Sequence, residues 1–206
     1  MSVLEERPFG FDSDGLRMEG LLHRGHGQLA AVVLHPHPQY GGDMHNHVVA
    51  AACGALAHHG ATTLRFNFRG VGGSAGGFDH GRGEAEDARN AIAAVRELAP
   101  VAGLVLAGYS FGALVAAGIA GTSDLVGLVL VSPPVSAAPL ANLPDGLRAL
   151  IIAGDRDELA PAGLLASLGA PGRRVVVVPG VDHGWWPGVD ALAAEISPFA
   201  AELVPA

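Results

Sequence analysis

Gly103-Leu104-Val105-Leu106-Ala107-Gly108-Tyr109-Ser110-Phe111-Gly112-Ala113-Leu114-Val115-Ala116-Ala117 is the stretch that decides the fold of this 206-residue chain. Its first part, Gly103 to Tyr109, is apolar without interruption and predicts a buried strand. Its last part opens a segment, Phe111 to Gly121, that is rich in small residues and predicts a helix. Gly108-Tyr109-Ser110-Phe111-Gly112 joins them and fits the pattern G-x-S-x-G. A serine in that setting sits on a sharp, strained turn that lifts its hydroxyl above the sheet edge, and a side chain at either flanking glycine would crowd the turn. A helix beginning at Phe111 aims its free N–H groups and positive dipole end at the reacting centre, with the Phe111 N–H as the natural first donor to an oxyanion.

The same alternation extends in both directions. Upstream, Leu16, Met18, Gly20 and Leu22 alternate with Arg17, Glu19 and Leu21, as in a partly exposed strand paired with the segment around Phe9 to Phe11. Strands are expected at Ala30 to His35 and Thr62 to Phe68. Helices are expected at Asn46 to His59, closed by Gly60, and at Arg82 to Leu98, with Glu84, Glu86 and Asp87 in its first turns and Pro100 just beyond. Downstream come strands at Leu125 to Val131, Leu147 to Ala153 and Arg174 to Val178. A short helix, Leu164 to Leu168, and a final one, Val189 to Leu203, complete the series. Apolar strands separated by helices imply an α/β fold: one domain over residues 1–206, its central sheet mostly parallel and covered on both faces. The Pro-rich segment Ser132 to Gly146 is too short for a lid domain.

A serine is a weak nucleophile without a general base, and the base needs an orienting acid. In the strand–turn–helix arrangement around Ser110 the chain order is serine, acid, histidine. Gly154-Asp155-Arg156-Asp157 follows a predicted strand and offers two carboxylates; Asp157 is read as the triad acid and Asp155 as its reserve. Asp182-His183-Gly184 follows the next strand, and His183 is the only histidine after His80. It is read as the base, and Asp182 as a loop residue.

Composition narrows the chemistry. All twelve basic residues are Arg, so a Walker A lysine and the Schiff-base and pyridoxal-phosphate chemistries are excluded. Net charge is −8, which disfavours nucleic acid and anionic membranes as partners. Cys53 is the only cysteine and reads as a small buried hydrophobe. Met1 to Phe11 lacks an apolar signal core, and no long apolar span stands out, so a cytoplasmic location is expected. His35, His37, His45 and His47 fall close together, but the two-residue separation of His45 and His47 does not put them on one helix face, and H-E-x-x-H is absent. No metal or organic cofactor is expected.

Further motifs surround these residues: His35-Pro36-His37-Pro38 with Gly41, Gly42 and Met44; Arg65-Phe66-Asn67-Phe68-Arg69-Gly70-Val71-Gly72; and Asp79, Gly81, Gly83 and Glu84. Together with Gly108 to Gly112, Gly154-x-x-Asp157 and Asp182-His183, they resemble the short, lid-less bacterial α/β-hydrolases that carry an HPHP segment, a dienelactone-hydrolase-like group. The resemblance covers most of the chain. It implies the α/β-hydrolase fold without a lid domain, and an acid three residues after the glycine, at Asp157. It also implies a second oxyanion donor in the loop after His35. The His37 N–H is placed there; Gln39 and Tyr40 are the alternatives, since Pro36 and Pro38 have no N–H. One departure stands out: relatives place aromatic residues directly after the histidine, whereas here Gly184 precedes Trp185 and Trp186.

The expected activity is hydrolysis of a small ester-like substrate, carboxylic ester or thioester, through an acyl-enzyme. Tyr40, Met44, Phe111, Trp185 and Trp186 are candidate pocket residues, the Trp pair alternatively packing the final helix. Arg69, Asn67 and Glu84 read as loop-fixing side chains. The rival readings are an acyltransferase using the same triad, a metal-dependent enzyme, and a non-catalytic binding protein on the same scaffold.

Overall fold

The structure, a computed structural model, describes residues 4–98, 102–140 and 143–204. Pro100, expected to terminate a helix, lies outside them. The described residues form one eight-stranded sheet in the order β1-β2-β4-β3-β5-β6-β7-β8. β1 (Arg7–Ser13) and β2 (Leu16–His23) make a hairpin with Phe9 opposite Gly20 and Phe11 opposite Met18. β2 runs antiparallel to β4 (Thr62–Phe66), and every later pairing is parallel, through β3 (Leu29–Leu34), β5 (Gly103–Tyr109), β6 (Gly127–Val131), β7 (Ala149–Gly154) and β8 (Arg173–Val178).

The central strands are buried on both faces, which is why they read as continuous apolar runs rather than as alternating ones. Alternation survives in where the side chains go. Ala30, Val32, Leu34, Leu104 and Leu106 join one core, under α2 (Arg82–Leu98), α3 (Phe111–Ile119) and α4 (Ala162–Ala166). Ala31, Val33, Val105, Ala107 and Tyr109 join the other, under α1 (His47–Ala57) and α5 (Val189–Leu203). β8 closes the sheet edge and is only half-buried, with Arg173 and Arg174 opening it.

Local chemistry sets the ends of the elements. Asn46 caps α1 by accepting from the Val48 N–H, and Gly60 leaves the helix in the left-handed region at φ 78°. The strand expected to reach Phe68 stops at Phe66. Asn67 turns away to accept from the Met44 N–H, and the Phe68 N–H is taken by the His35 ring. α3 ends at Ile119 in a 3₁₀ turn rather than continuing to Gly121. The acids of α2 do more than complement a dipole. Glu84 is buried and accepts from the Asp79 and Gly81 N–H groups, while buried Asp87 grips Arg69 and Ser13.

Strand order reverses between β3 and β5. In open α/β sheets the crevice beyond the carboxyl ends of the strands at such a reversal is where ligands bind. The loop after β3 carries His35 to Tyr40, and β5 leads directly to Ser110.

Candidate active site

Ser110 occupies the single residue between β5 and α3, with φ 54° and ψ −117°. This is a backbone conformation that side-chain-bearing residues rarely adopt, and it puts strain where a functional group needs presentation. The turn is that tight because backbone packs directly on backbone. A Cβ on Gly108 would lie 2.2 Å from the Gly112 carbonyl oxygen, and one on Gly112 would lie 2.5 Å from that of Leu34. The second contact presses the start of α3 against the end of β3. The Phe111 N–H, first in its helix, and the His37 N–H, just past β3, take part in no backbone hydrogen bond among the described residues.

His183 Nε2 lies 3.0 Å from Ser110 Oγ, and His183 Nδ1 lies 2.9 and 3.0 Å from the two carboxylate oxygens of Asp157. The carboxylate can only accept from Nδ1–H, which leaves Nε2 as the acceptor facing the serine hydroxyl. Asp157 Oδ1 also accepts from the N–H groups of Leu159 and Ala160, both at 3.0 Å. Burial by itself would raise the Asp157 pKa. Hydrogen bonds from His183, the Ser132 hydroxyl and the Ala160 N–H outweigh it and hold the carboxyl below its ordinary range. Asp155 does something else: its Oδ1 accepts from the Gly180 N–H at 2.6 Å and ties the loop after β7 to the loop after β8.

The His183 loop is fastened from several sides. The Tyr109 hydroxyl donates to the His183 carbonyl at 2.6 Å, and His47 Nε2 donates to the Gly184 carbonyl at 2.9 Å. Burial pushes the Tyr109 phenol up to about 12, so it stays a donor. Asp182 Oδ1 accepts from the Gly184 N–H. His47, weighed in sequence as a metal-ligand candidate, is a prop for this loop. His35 clamps the opposite loop: its Nδ1 donates to the Pro36 carbonyl at 2.7 Å, and its Nε2 accepts from the Phe68 N–H at 3.0 Å. Burial lowers its pKa to about 4, consistent with this neutral tautomer. Arg69 and Asn67 fix loops, as expected, through Asp87 and through Glu19 and Met44.

Of the pocket candidates, two stand elsewhere. Trp185 is fully buried, and its indole N–H donates to Ser132 Oγ at 2.8 Å. It packs in the core with α1 and α5 rather than lining the site, from a backbone at φ 60°. Met44 is also buried, with its N–H on Asn67 and its carbonyl on Arg65. Tyr40 is 88% and Trp186 78% exposed; Tyr40 lies against the His37 ring, and Trp186 stacks on His47 at 4.1 Å. Sequence reasoning missed Ser132 and Phe78. Ser132 is a buried polar residue just past β6, the strand between those that lead to Ser110 and Asp157. Phe78 meets the His37 ring at 4.9 Å and the Phe111 ring at 5.8 Å.

A sequence profile described as serine aminopeptidase, S33, matches residues 27–154, more than half of the chain. The chain belongs to this α/β-hydrolase family. The matched span of the α/β-hydrolase holds Ser110 and stops short of Asp157 and His183. The crystal structure of a lid-less α/β serine hydrolase from Xanthomonas campestris superposes with a TM-score of 0.91 at 30% identity, covering 98% of this chain and 96% of that one. An α/β serine hydrolase homologue from Coxiella burnetii gives a TM-score of 0.87 at 31% identity, covering 97% and 99%. Among curated sequences, an uncharacterised protein of Rickettsia prowazekii is 40% identical over 139 residues, which is 64% of this chain and 58% of the relative. The chain thus spans a little over half the length of that curated relative. Among its described residues this α/β-hydrolase, like the Xanthomonas protein, has no lid domain inserted in its sheet. Among its described residues no helix is long and apolar enough to cross a membrane, and no three metal-ligating side chains cluster.

Proposed function

We propose that the protein is a serine hydrolase that cleaves a small ester-like substrate through Ser110, His183 and Asp157. The observation that carries this reading is the unbroken line of hydrogen bonds from Ser110 Oγ through the His183 ring to a buried carboxylate, mounted on a strained turn. In the first step Ser110 Oγ attacks the substrate carbonyl carbon as its proton passes to His183 Nε2. Asp157 holds the ring orientation and stabilises the imidazolium. The carbonyl oxygen becomes an oxyanion that accepts from the Phe111 N–H and the His37 N–H. Collapse breaks the bond to the leaving oxygen, which takes the proton from His183, and the acyl group stays on Ser110. Water then enters, gives its proton to His183 and releases the acid by the same steps in reverse.

Pre-steady-state hydrolysis of an activated chromophoric ester tests this. The reading predicts a burst of released alcohol equal to one per protein chain, absent in Ser110→Ala. Release that is linear from the start and equally fast in Ser110→Ala would overturn it.

A further inference from the structure

Three separate segments bring aromatic rings together around Phe111, the residue that follows Ser110. His37 comes from the loop after β3, Phe78 from the loop before α2, and Phe111 from the start of α3. Their ring centres are 4.9 Å apart for His37–Phe78 and for His37–Phe111, and 5.8 Å for Phe78–Phe111. The three rings are tilted against one another by 45° to 56°, and each is only half-buried. Tyr40 and His80 extend the group at its two ends, 4.8 Å from His37 and 4.9 Å from Phe78.

We propose that this wall receives the acyl portion of the substrate, and that the protein selects esters whose acyl group is a flat aromatic ring. The inference rests on the serine-hydrolase reading and deepens it. In the tetrahedral intermediate the leaving oxygen faces His183, which must protonate it, and the oxyanion faces the N–H groups of Phe111 and His37. The remaining substituent on that carbon is the acyl group. The two residues that supply the oxyanion donors also carry two rings of the wall on their own side chains.

The wall is built to hold its shape. Phe111 rests edge-on against fully buried Phe68 at 5.9 Å, and the Phe68 backbone is pinned by His35. The turn carrying Phe78 and His80 is tethered by the Glu84 carboxylate through the Asp79 and Gly81 N–H groups. His80 is held at φ 53° in that turn. Burial lowers the pKa of His37, which favours an uncharged ring at the centre of the wall. Aromatic pairs gain beyond the area they bury when they meet offset or edge-on, and a saturated ring of the same size gains only the area.

The test compares p-nitrophenyl benzoate with p-nitrophenyl cyclohexanecarboxylate, with each kcat/KM divided by the ester's rate of hydrolysis by hydroxide. p-Nitrophenyl acetate is measured alongside. The wall predicts a normalised preference for benzoate of about tenfold in the wild type. In Phe78→Leu, which keeps apolar volume and whose folding is checked by its melting curve, the preference falls toward unity. Equal normalised rates in the wild type, or a preference that persists in Phe78→Leu, would overturn the proposal while Ser110-dependent acetate turnover still upheld the hydrolase reading. Absence of Ser110-dependent turnover of all three esters would overturn both.

Discussion

The indole N–H of Trp185 donates to the hydroxyl oxygen of Ser132 at 2.8 Å, and both residues are fully buried. Both also have positive φ, 60° and 46°. The indole occupies an acceptor position of the hydroxyl, and the Ser132 side chain helps hold the Asp157 pKa down. Ser132→Ala therefore raises the Asp157 pKa and leaves the Trp185 indole without a buried acceptor. A loss of about fivefold in kcat is expected, since one such hydrogen bond is worth about 1 kcal/mol, with a smaller effect on KM. Steady-state kinetics on both variants, Ser132→Ala and Trp185→Phe, would check this. The double variant should lose less than the two single losses combined, because the residues share one interaction.

The two carboxylates after β7 separate by role. Asp157→Asn should cost on the order of 10⁴ in kcat by favouring the wrong tautomer of His183. Asp155→Asn should leave kcat within a few-fold and lower only stability, because Asp155 holds the Gly180 N–H. Kinetics and melting temperatures of the two proteins, measured together, distinguish these outcomes.

Tyr109 holds the loop after β8 through the His183 carbonyl. Tyr109→Phe leaves that carbonyl without this donor and keeps the ring. The expected result is a fall of about tenfold in kcat with little change in melting temperature. A large loss of stability with unchanged kcat would show that the hydroxyl serves the core instead.

His35 links stability to pH. Its folded pKa is lowered to about 4, against 6.5 ordinarily. Between those values the unfolded chain binds a proton that the folded chain does not, so stability is full above about pH 6.5 and falls as the pH drops toward 4. The loss approaches about 3 kcal/mol at its limit. Urea unfolding at several pH values should show this slope, and His35→Gln should flatten it while lowering stability at neutral pH.

Much of this architecture was legible in the sequence because it rests on local rules. Gly108 and Gly112 announce a turn in which backbone packs on backbone, and the apolar runs of β3, β5, β6 and β7 announce strands buried on both faces. His183 followed from chain order. Asp155 and Asp157 share one turn after one strand, and their partners distinguish them: the His183 ring for Asp157 and the Gly180 N–H for Asp155. The burial of Trp185 was hidden because a loop has no periodicity from which to read which side chain faces the core. Met44 reads as a pocket residue only until Asn67 and Arg65 are seen to bury it. Ser132 and Phe78 left no signal: one is a single hydroxyl at a strand end, and the other is a single ring in a glycine-rich loop.

The central claim is that His183 activates Ser110. Labelling of the folded protein with a fluorophosphonate probe, followed by peptide mapping, tests it most directly. The account predicts one adduct, on Ser110, lost in Ser110→Ala and slowed by several orders of magnitude in His183→Ala. An unlabelled but folded wild type, or labelling of Ser110 that proceeds as fast without His183, would contradict it.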